Sequence, residues 1–234
     1  KSKGDVTLVK YSGQYDNYDV QNASELEISK EKCSEALKKI SKEELDALRF
    51  AKSRIQEFAE HQKTKPWNYT SEGITLGEQI TAIDKVGVYV PGGSAAYPSS
   101  VLMNSVPAKV AGVNEIIMVV PSPHGDVNNM VLAAASLGGV DRIFRLGGAH
   151  SIAALAFGTD TIPKVNMIVG PGSQYVAEAK KELYGEVGID SFAGPSEILV
   201  IADSSANEEW IASDLFSQAE HDELAQSILI SPDE

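Results

Sequence analysis

One pattern limits what this chain can fold into: a short apolar strand, a tight turn rich in glycine or proline, and a helix, repeated five times from residue 86 onward. VGVYV (86–90) leads into PGGSAAYP and a helical stretch from about Ser99 to Ala111. EIIMVV (115–120) leads into PSPHGD and the helix VNNMVLAAASL, and RIFRL (142–146) into GGA and HSIAALAF. VNMIV (165–169) leads into GPG and SQYVAEAKKELY, and EILVIA (197–202) into the helix NEEWIASDLFSQAEH. A last strand is expected at SILIS (227–231). The strands are continuous apolar runs, as burial on both faces requires. The fold class is therefore α/β, with Rossmann-like parallel sheets and helices on both faces. Such sheets bind ligands outside the carboxyl ends of their strands, where these turns lie.

Residues 1–65 read as polar and helical. In SKEELDALRFAKSRIQEFAEHQ, Leu45, Leu48, Ile55 and Phe58 make one apolar stripe, and Ser41 with Glu44 has capping-box spacing. KTKPWNYTSEG reads as a loop, punctuated by Pro66 and Gly73. The balance of 33 acidic to 20 basic residues gives a net charge of −13, which repels phosphate backbones and argues against a nucleic-acid partner. No membrane partner is expected: the longest apolar stretch, around Val131 to Val140, falls short of the roughly 18 residues a spanning helix needs. No signal peptide is expected at the polar start, which opens at Lys1 and not Met. A single cysteine, Cys33, excludes an internal disulfide and points to a reducing, cytoplasmic setting. It sits in KEKCSEALKK with no glycine turn or histidine nearby, so a structural role is expected.

Three turns share one design: PGG (91–93), GGA (147–149) and GPG (170–172). Each lets the backbone approach a ligand and opens toward a helix start, whose N–H groups suit an anion such as a pyrophosphate. None is the GxGxxG dinucleotide fingerprint, and glycines also serve plain turns. Tyr89 lies at a strand end just before PGG, able to contact a cofactor or to act as a core aromatic with its hydroxyl at the rim. His150 and Ser173 open helices, and Ser173 reads equally as an N-cap. Ser196, in AGPSE, is a turn serine that can hydrogen-bond a substrate. Gln218 and His221 stand at i and i+3 on one side of a helix, a spacing that can grip a metal ion or a polar ligand. Two ligands are too few for zinc, so any such site needs residues from elsewhere. Glu220 and Asp222 read as a solvated helix end, and His61 and His124 carry no partner signal.

VGVYVPGGSAAYPSSVLMNSVPAKVAGV, LGGAHSIAALAFGTDTIPKV, GPGSQYVAEAKKEL and IDSFAGPSEILVIAD…ASDLFSQAEHD together resemble the histidinol dehydrogenase family, over nearly the whole chain. The last stretch, which joins AGPSE to SQAEH, is the most specific. The resemblance implies zinc- and NAD-dependent oxidation of L-histidinol to L-histidine through the aldehyde, in a cytoplasmic homodimer. It implies that Gln218 and His221 are zinc ligands that also touch substrate, that Ser196 binds substrate, and that Tyr89 contacts NAD. It also implies an NAD-contacting Rossmann-like domain, about 89–196, inserted in a second α/β domain represented by 1–88 and 197–234.

Two departures stand out. The family pattern has Gln after GGA and Asn after GPG, both toward NAD; here these are His150 and Ser173, still polar. The family's Glu-His acid–base pair, its remaining Asp and His zinc ligands and its dimerisation region fall beyond residue 234. The resemblance therefore implies a chain with half a zinc site, inactive alone, within a longer dehydrogenase. A non-catalytic nucleotide-binding module and a dehydrogenase of another amino alcohol are the competing readings.

Overall fold

The first four strand–turn–helix units wind into a sheet covered on both faces in the computed structural model, which describes residues 3–92, 96–192, 196–220 and 225–232. The chain divides into two compact units, Lys1–Phe192 and Ala193–Glu234.

The first unit opens with α1 (Gly4–Asp16), a 3₁₀ turn (Ala23–Leu26), β1 (Glu27–Ile28), α2 (Lys30–Lys39) and α3 (Lys42–Gln62). A hairpin of β2 (Trp67–Ser71) and β3 (Ile74–Glu78) follows. Then come β4 (Lys85–Tyr89), α4 (Pro98–Ala111), β5 (Glu115–Val120), a 3₁₀ turn (Pro123–Gly125), α5 (Asn129–Gly138) and β6 (Arg142–Arg145). The unit ends with α6 (Gly148–Phe157), β7 (Met167–Val169), α7 (Gln174–Glu182) and β8 (Gly188–Ile189). Among the described residues the main sheet has the order β1-β6-β5-β4-β7-β8. Only β1 runs antiparallel, at the edge beside β6. The order reverses between β4 and β7, the switch point at which doubly wound folds bind their ligands.

Side chains alternate along the central strands into two cores. Ile116, Met118 and Val120 of β5 face α2, α3, α4 and α5, where Ala36, Leu48, Leu102 and Val131 meet them. Ile117 and Val119 join Phe144, Leu146, Ile152, Leu155 and Val176 on the face of α1, α6 and α7. Each such fully buried side chain contributes roughly 1.5–3 kcal/mol. Cys33 is buried in the first core, and burial pushes its thiol up, as suits a structural role. The helix starts far from the glycine turns are held by their own side chains: Ser29 caps α2, and Ser41 with Glu44 forms the expected capping box on α3.

The second unit holds β9 (Glu197–Ile201), α8 (Glu208–Ala219) and β10 (Gln226–Ile230). β9 and β10 pair in parallel, from Glu197 with Gln226 to Ile201 with Ile230. Asn207 caps α8, and Ser227 Oγ donates to the Leu215 carbonyl at 2.8 Å. No described residue of this unit is buried.

Three expectations are corrected. The loop expected across 63–73 contains β2, and the punctuation at Gly73 marks a hairpin. Glu72 and Gly73 both take positive φ (51° and 79°), the requirement of a two-residue turn matched to strand twist. The aromatic and β-branched residues on either side then pair, and Trp67 stacks on Tyr69. The apolar stripe of α3 buries Leu48 and Ala59 with Ile55 partly covered, whereas Phe58 is 66% exposed. Phe58 stands ten positions from Leu48 and is rotated off the face that Ala59 continues. The helical reading of 1–65 also missed the short edge strand β1, tied to β6 by a two-pronged ion pair between Arg142 and Glu27. Among the described residues no helix is long and apolar enough to cross a membrane.

Candidate functional site

Tyr89 ends β4 at the switch point and joins two of the glycine turns. Its ring is buried at 3% exposure, and its hydroxyl accepts a hydrogen bond from the Gly148 N–H at 3.2 Å, at the start of α6. On its backbone side, Gly170 of the GPG turn packs so closely that a Cβ there would collide with the Tyr89 carbonyl oxygen. Gly170 also has φ +108°, which side-chain-bearing residues avoid, so glycine is required twice over. Burial pushes the Tyr89 phenol up, and the carboxylate of Asp16 adds to that shift.

Asp16 closes α1 against this edge. It is buried, its Oδ2 has no hydrogen-bond partner among the described residues, and burial raises its pKa against the opposing pull of the Ser122 backbone N–H. His150 lies in the first turn of α6, packed edge-on to Tyr11 (5.3 Å between ring centres) and stacked on Tyr15 (5.9 Å). Its Nε2 is buried without a partner among the described residues, and burial lowers the imidazole to about 4, so it is neutral at pH 7. A groove of about 320 Å³ runs beside it, lined by Tyr11, Leu8, Ala153 and Phe157 among others. Ser173 occupies the N-cap position of α7 in extended geometry, yet its hydroxyl makes no capping bond. The starts of α4 and α6 likewise lack a capping bond from the N-cap side chain, although in α6 the Tyr89 hydroxyl already accepts from the Gly148 N–H. Such starts favour a bound anion. By contrast, α5, which follows the PSPHGD turn, is capped by Asn128.

The structure thus brings Tyr89 and His150 to one edge, with Ser173 on the neighbouring turn. Ser196 and Gln218 belong to the second unit. Ser196 is exposed at the start of β9 and its carbonyl accepts from Gln226 N–H at 3.3 Å. Gln218 lies in the last turn of α8, and its Nε2 is buried without a partner among the described residues. A buried amide end with no partner is costly. His221 lies outside the described residues. Among the described residues no three His, Cys, Asp or Glu side chains are grouped to hold a metal ion. His61 and His124 are exposed, and His124 takes a left-handed φ of 59° in the 3₁₀ turn after β5.

Sequence reasoning missed Asp16, and it missed Lys180 and Asp190, which brace the GPG turn. A lone acid at a helix end and a lysine amid AEAKKEL carry no local signal; only the fold buries them.

A family model described as histidinol dehydrogenase matches residues 1–234. A curated histidinol dehydrogenase of Hydrogenovibrio crunogenus is 56% identical over all 234 residues of the chain, which cover 54% of that relative. One of Methylococcus capsulatus is 57% identical over 231 residues, 98% of the chain and 53% of the relative. A crystal structure of histidinol dehydrogenase from Elizabethkingia anophelis superposes with a TM-score of 0.89 at 39% identity, over 98% of this chain and 53% of that one. The chain spans about half the length of the relatives it matches. A match along its whole length, at more than half identity, means that this chain belongs to the histidinol dehydrogenase family.

Proposed function

We propose that the complete protein containing this chain oxidises L-histidinol to L-histidine through the aldehyde, using NAD and zinc, as a cytoplasmic homodimer. The observation that carries this reading is the extent of the family match, from the first residue through the AGPSE and SQAEH segments. The domain division proposed for the complete protein keeps 89–196 as the cofactor part and joins 1–88 and 197–234 to the second domain.

In this reading the carboxyl edge of the main sheet receives NAD. The starts of α4, α6 and α7, which lack N-cap side-chain bonds, would offer N–H groups to its phosphates, Ser173 its hydroxyl, and Tyr89 and His150 would contact the cofactor. When bound, NAD accepts the hydride, one molecule for each of the two oxidations. Held neutral by burial, His150 would add no charge to the cofactor-binding edge. Gln218, through its amide oxygen, and His221 would hold two positions of the zinc, as the family resemblance implies. Zinc held there would supply Lewis-acid chemistry toward the substrate. Ser196 hydrogen-bonds the substrate beside it. General acid–base groups are needed as well, worth typically about 10²–10⁴ in rate. The family pattern draws them from beyond residue 234.

The test compares two polypeptides. The complete protein should form NADH from NAD on addition of L-histidinol and lose both bound zinc and turnover in Gln218→Ala and His221→Ala. The 234-residue chain should give no turnover with NAD, zinc and histidinol. Histidinol oxidation by the isolated chain, or full zinc content in the complete double variant, contradicts the reading.

A further inference from the structure

Gly170, the first residue of the GPG turn, has both of its backbone polar groups bound by side chains. Its N–H donates to Asp190 Oδ2 at 2.8 Å, and its carbonyl accepts from Lys180 Nζ at 3.1 Å. Lys180 and Asp190 are themselves ion-paired and hydrogen-bonded, which closes the ring. Asp190 Oδ1 also accepts from the Ser191 N–H at 2.8 Å. Lys180 is 4% exposed, the only buried lysine among the described residues. An ion pair such as Lys164–Glu186 lies open to solvent and contributes little. An ammonium taken out of water is costly unless its partners are held in good geometry. Here the geometry is directed at one backbone residue.

The arrangement replaces a helix cap. The starts of α2, α3, α5 and α8 are fixed by Ser29, Ser41, Asn128 and Asn207. The start of α7 has no such bond, yet its turn must hold a glycine of left-handed φ against the end of β4. Bracing from Gly170 fixes the turn from behind and leaves the Ser173 hydroxyl and the first-turn N–H groups on the open side uncommitted to a cap. The pair is neutral as a unit, so what it supplies is placement, not charge.

We propose that Lys180 and Asp190 are positioning residues for the dinucleotide: they hold the GPG turn so that Gly172, Ser173 and the start of α7 meet the cofactor's phosphates. This rests on the cofactor reading given above, and the two can fail separately.

The test is an NAD titration of the ¹⁵N-labelled chain, followed at the backbone amides of two turns. Gly172 and Ser173 report the braced turn; Gly148 and His150 report a turn the pair does not touch. In the unaltered chain NAD should shift the amides of both turns. In Lys180→Met and Asp190→Asn the response at Gly172 and Ser173 should vanish while that at Gly148 and His150 persists. Affinity should fall about tenfold or more, the scale of a misplaced binding element. Lys180→Arg, which keeps a charged donor, should recover most of it. Unchanged shifts and affinity in both variants overturn the inference, as does equal loss at both turns, which marks general loosening. If Lys180→Met loses amide dispersion, the isosteric Asp190→Asn decides; if neither folds, the pair is structural and the inference fails. An unaltered chain whose amides ignore NAD removes the cofactor reading itself, and the inference with it.

Discussion

Residues 3–192 and 196–232 carry the two parts of the proposed site on unequal foundations. In the first unit Phe144, Leu146, Ile152 and Leu155 are fully buried, and both faces of the main sheet are covered by helices. In the second, β10 is exposed along its whole length, Trp210 is 74% exposed, and a parallel strand pair has one helix beside it. Parallel strands rich in Ile, Leu and Val belong in sheets covered on both faces. Those of the first unit have that cover; Leu199, Ile201, Ile228 and Ile230 do not. The cofactor side therefore stands on a finished frame, while Ser196 and Gln218 stand on elements that cannot form a core by themselves.

The largest expected effect comes from separating the two units. A polypeptide of residues 193–234 should be unfolded by far-ultraviolet circular dichroism, since chains near 40 residues seldom bury enough surface to fold alone. Residues 1–192 should melt cooperatively, close to the temperature of the full chain. A cooperative melt of 193–234 would erase the contrast.

Single substitutions sharpen it. Phe144→Ala, in the closed core, should cost about 3–5 kcal/mol in denaturant unfolding. Trp210→Ala should stay within about 0.5 kcal/mol, as surface changes do.

Acid should weaken the first unit through His150. Its folded pKa, about 4, lies below the ordinary histidine value of 6.5, so the unfolded chain binds more protons between these two pH values. The neutral, buried form is favoured above pH 6.5, and stability should fall as pH drops from 6.5 toward 4, by up to about 3 kcal/mol. His150→Gln should flatten that segment of the stability profile. An identical profile in the variant would mean the ring is not held neutral by burial.

The smallest effect separates a capping serine from a ligand-facing one. Ser41→Ala removes a capping-box bond and should cost about 1 kcal/mol of stability. Ser173→Ala removes no capping bond, so it should leave the melting temperature unchanged while weakening NAD binding. A stability loss at Ser173 equal to that at Ser41 would make it an ordinary cap.

Much of this was legible in the sequence, for reasons of period and punctuation. The central strands announce themselves as apolar runs and the glycine turns as their ends, so the carboxyl edge and the places of Tyr89, His150 and Ser173 follow from local pattern. The hairpin at 67–78 was hidden because Pro66 and Gly73 read as loop signals, and only the positive φ of Glu72 turns that loop into a hairpin. Asp16, Lys180 and Asp190 were hidden for another reason. A charged residue's partners are fixed by tertiary contact: Asp190 reaches Gly170 across 20 positions, which no local pattern encodes. The roles of Gln218 and His221 came from family resemblance, since spacing alone favours a structural or solvated helix end over a metal pair.

The most direct test of the contrast is a calorimetric titration of NAD into residues 1–192 alone, set beside the full 234-residue chain. With the cofactor edge built wholly on the first unit, the two should bind NAD with the same affinity and a stoichiometry near one. Binding by the full chain and none by residues 1–192 would contradict it, and would place the cofactor site partly on the second unit.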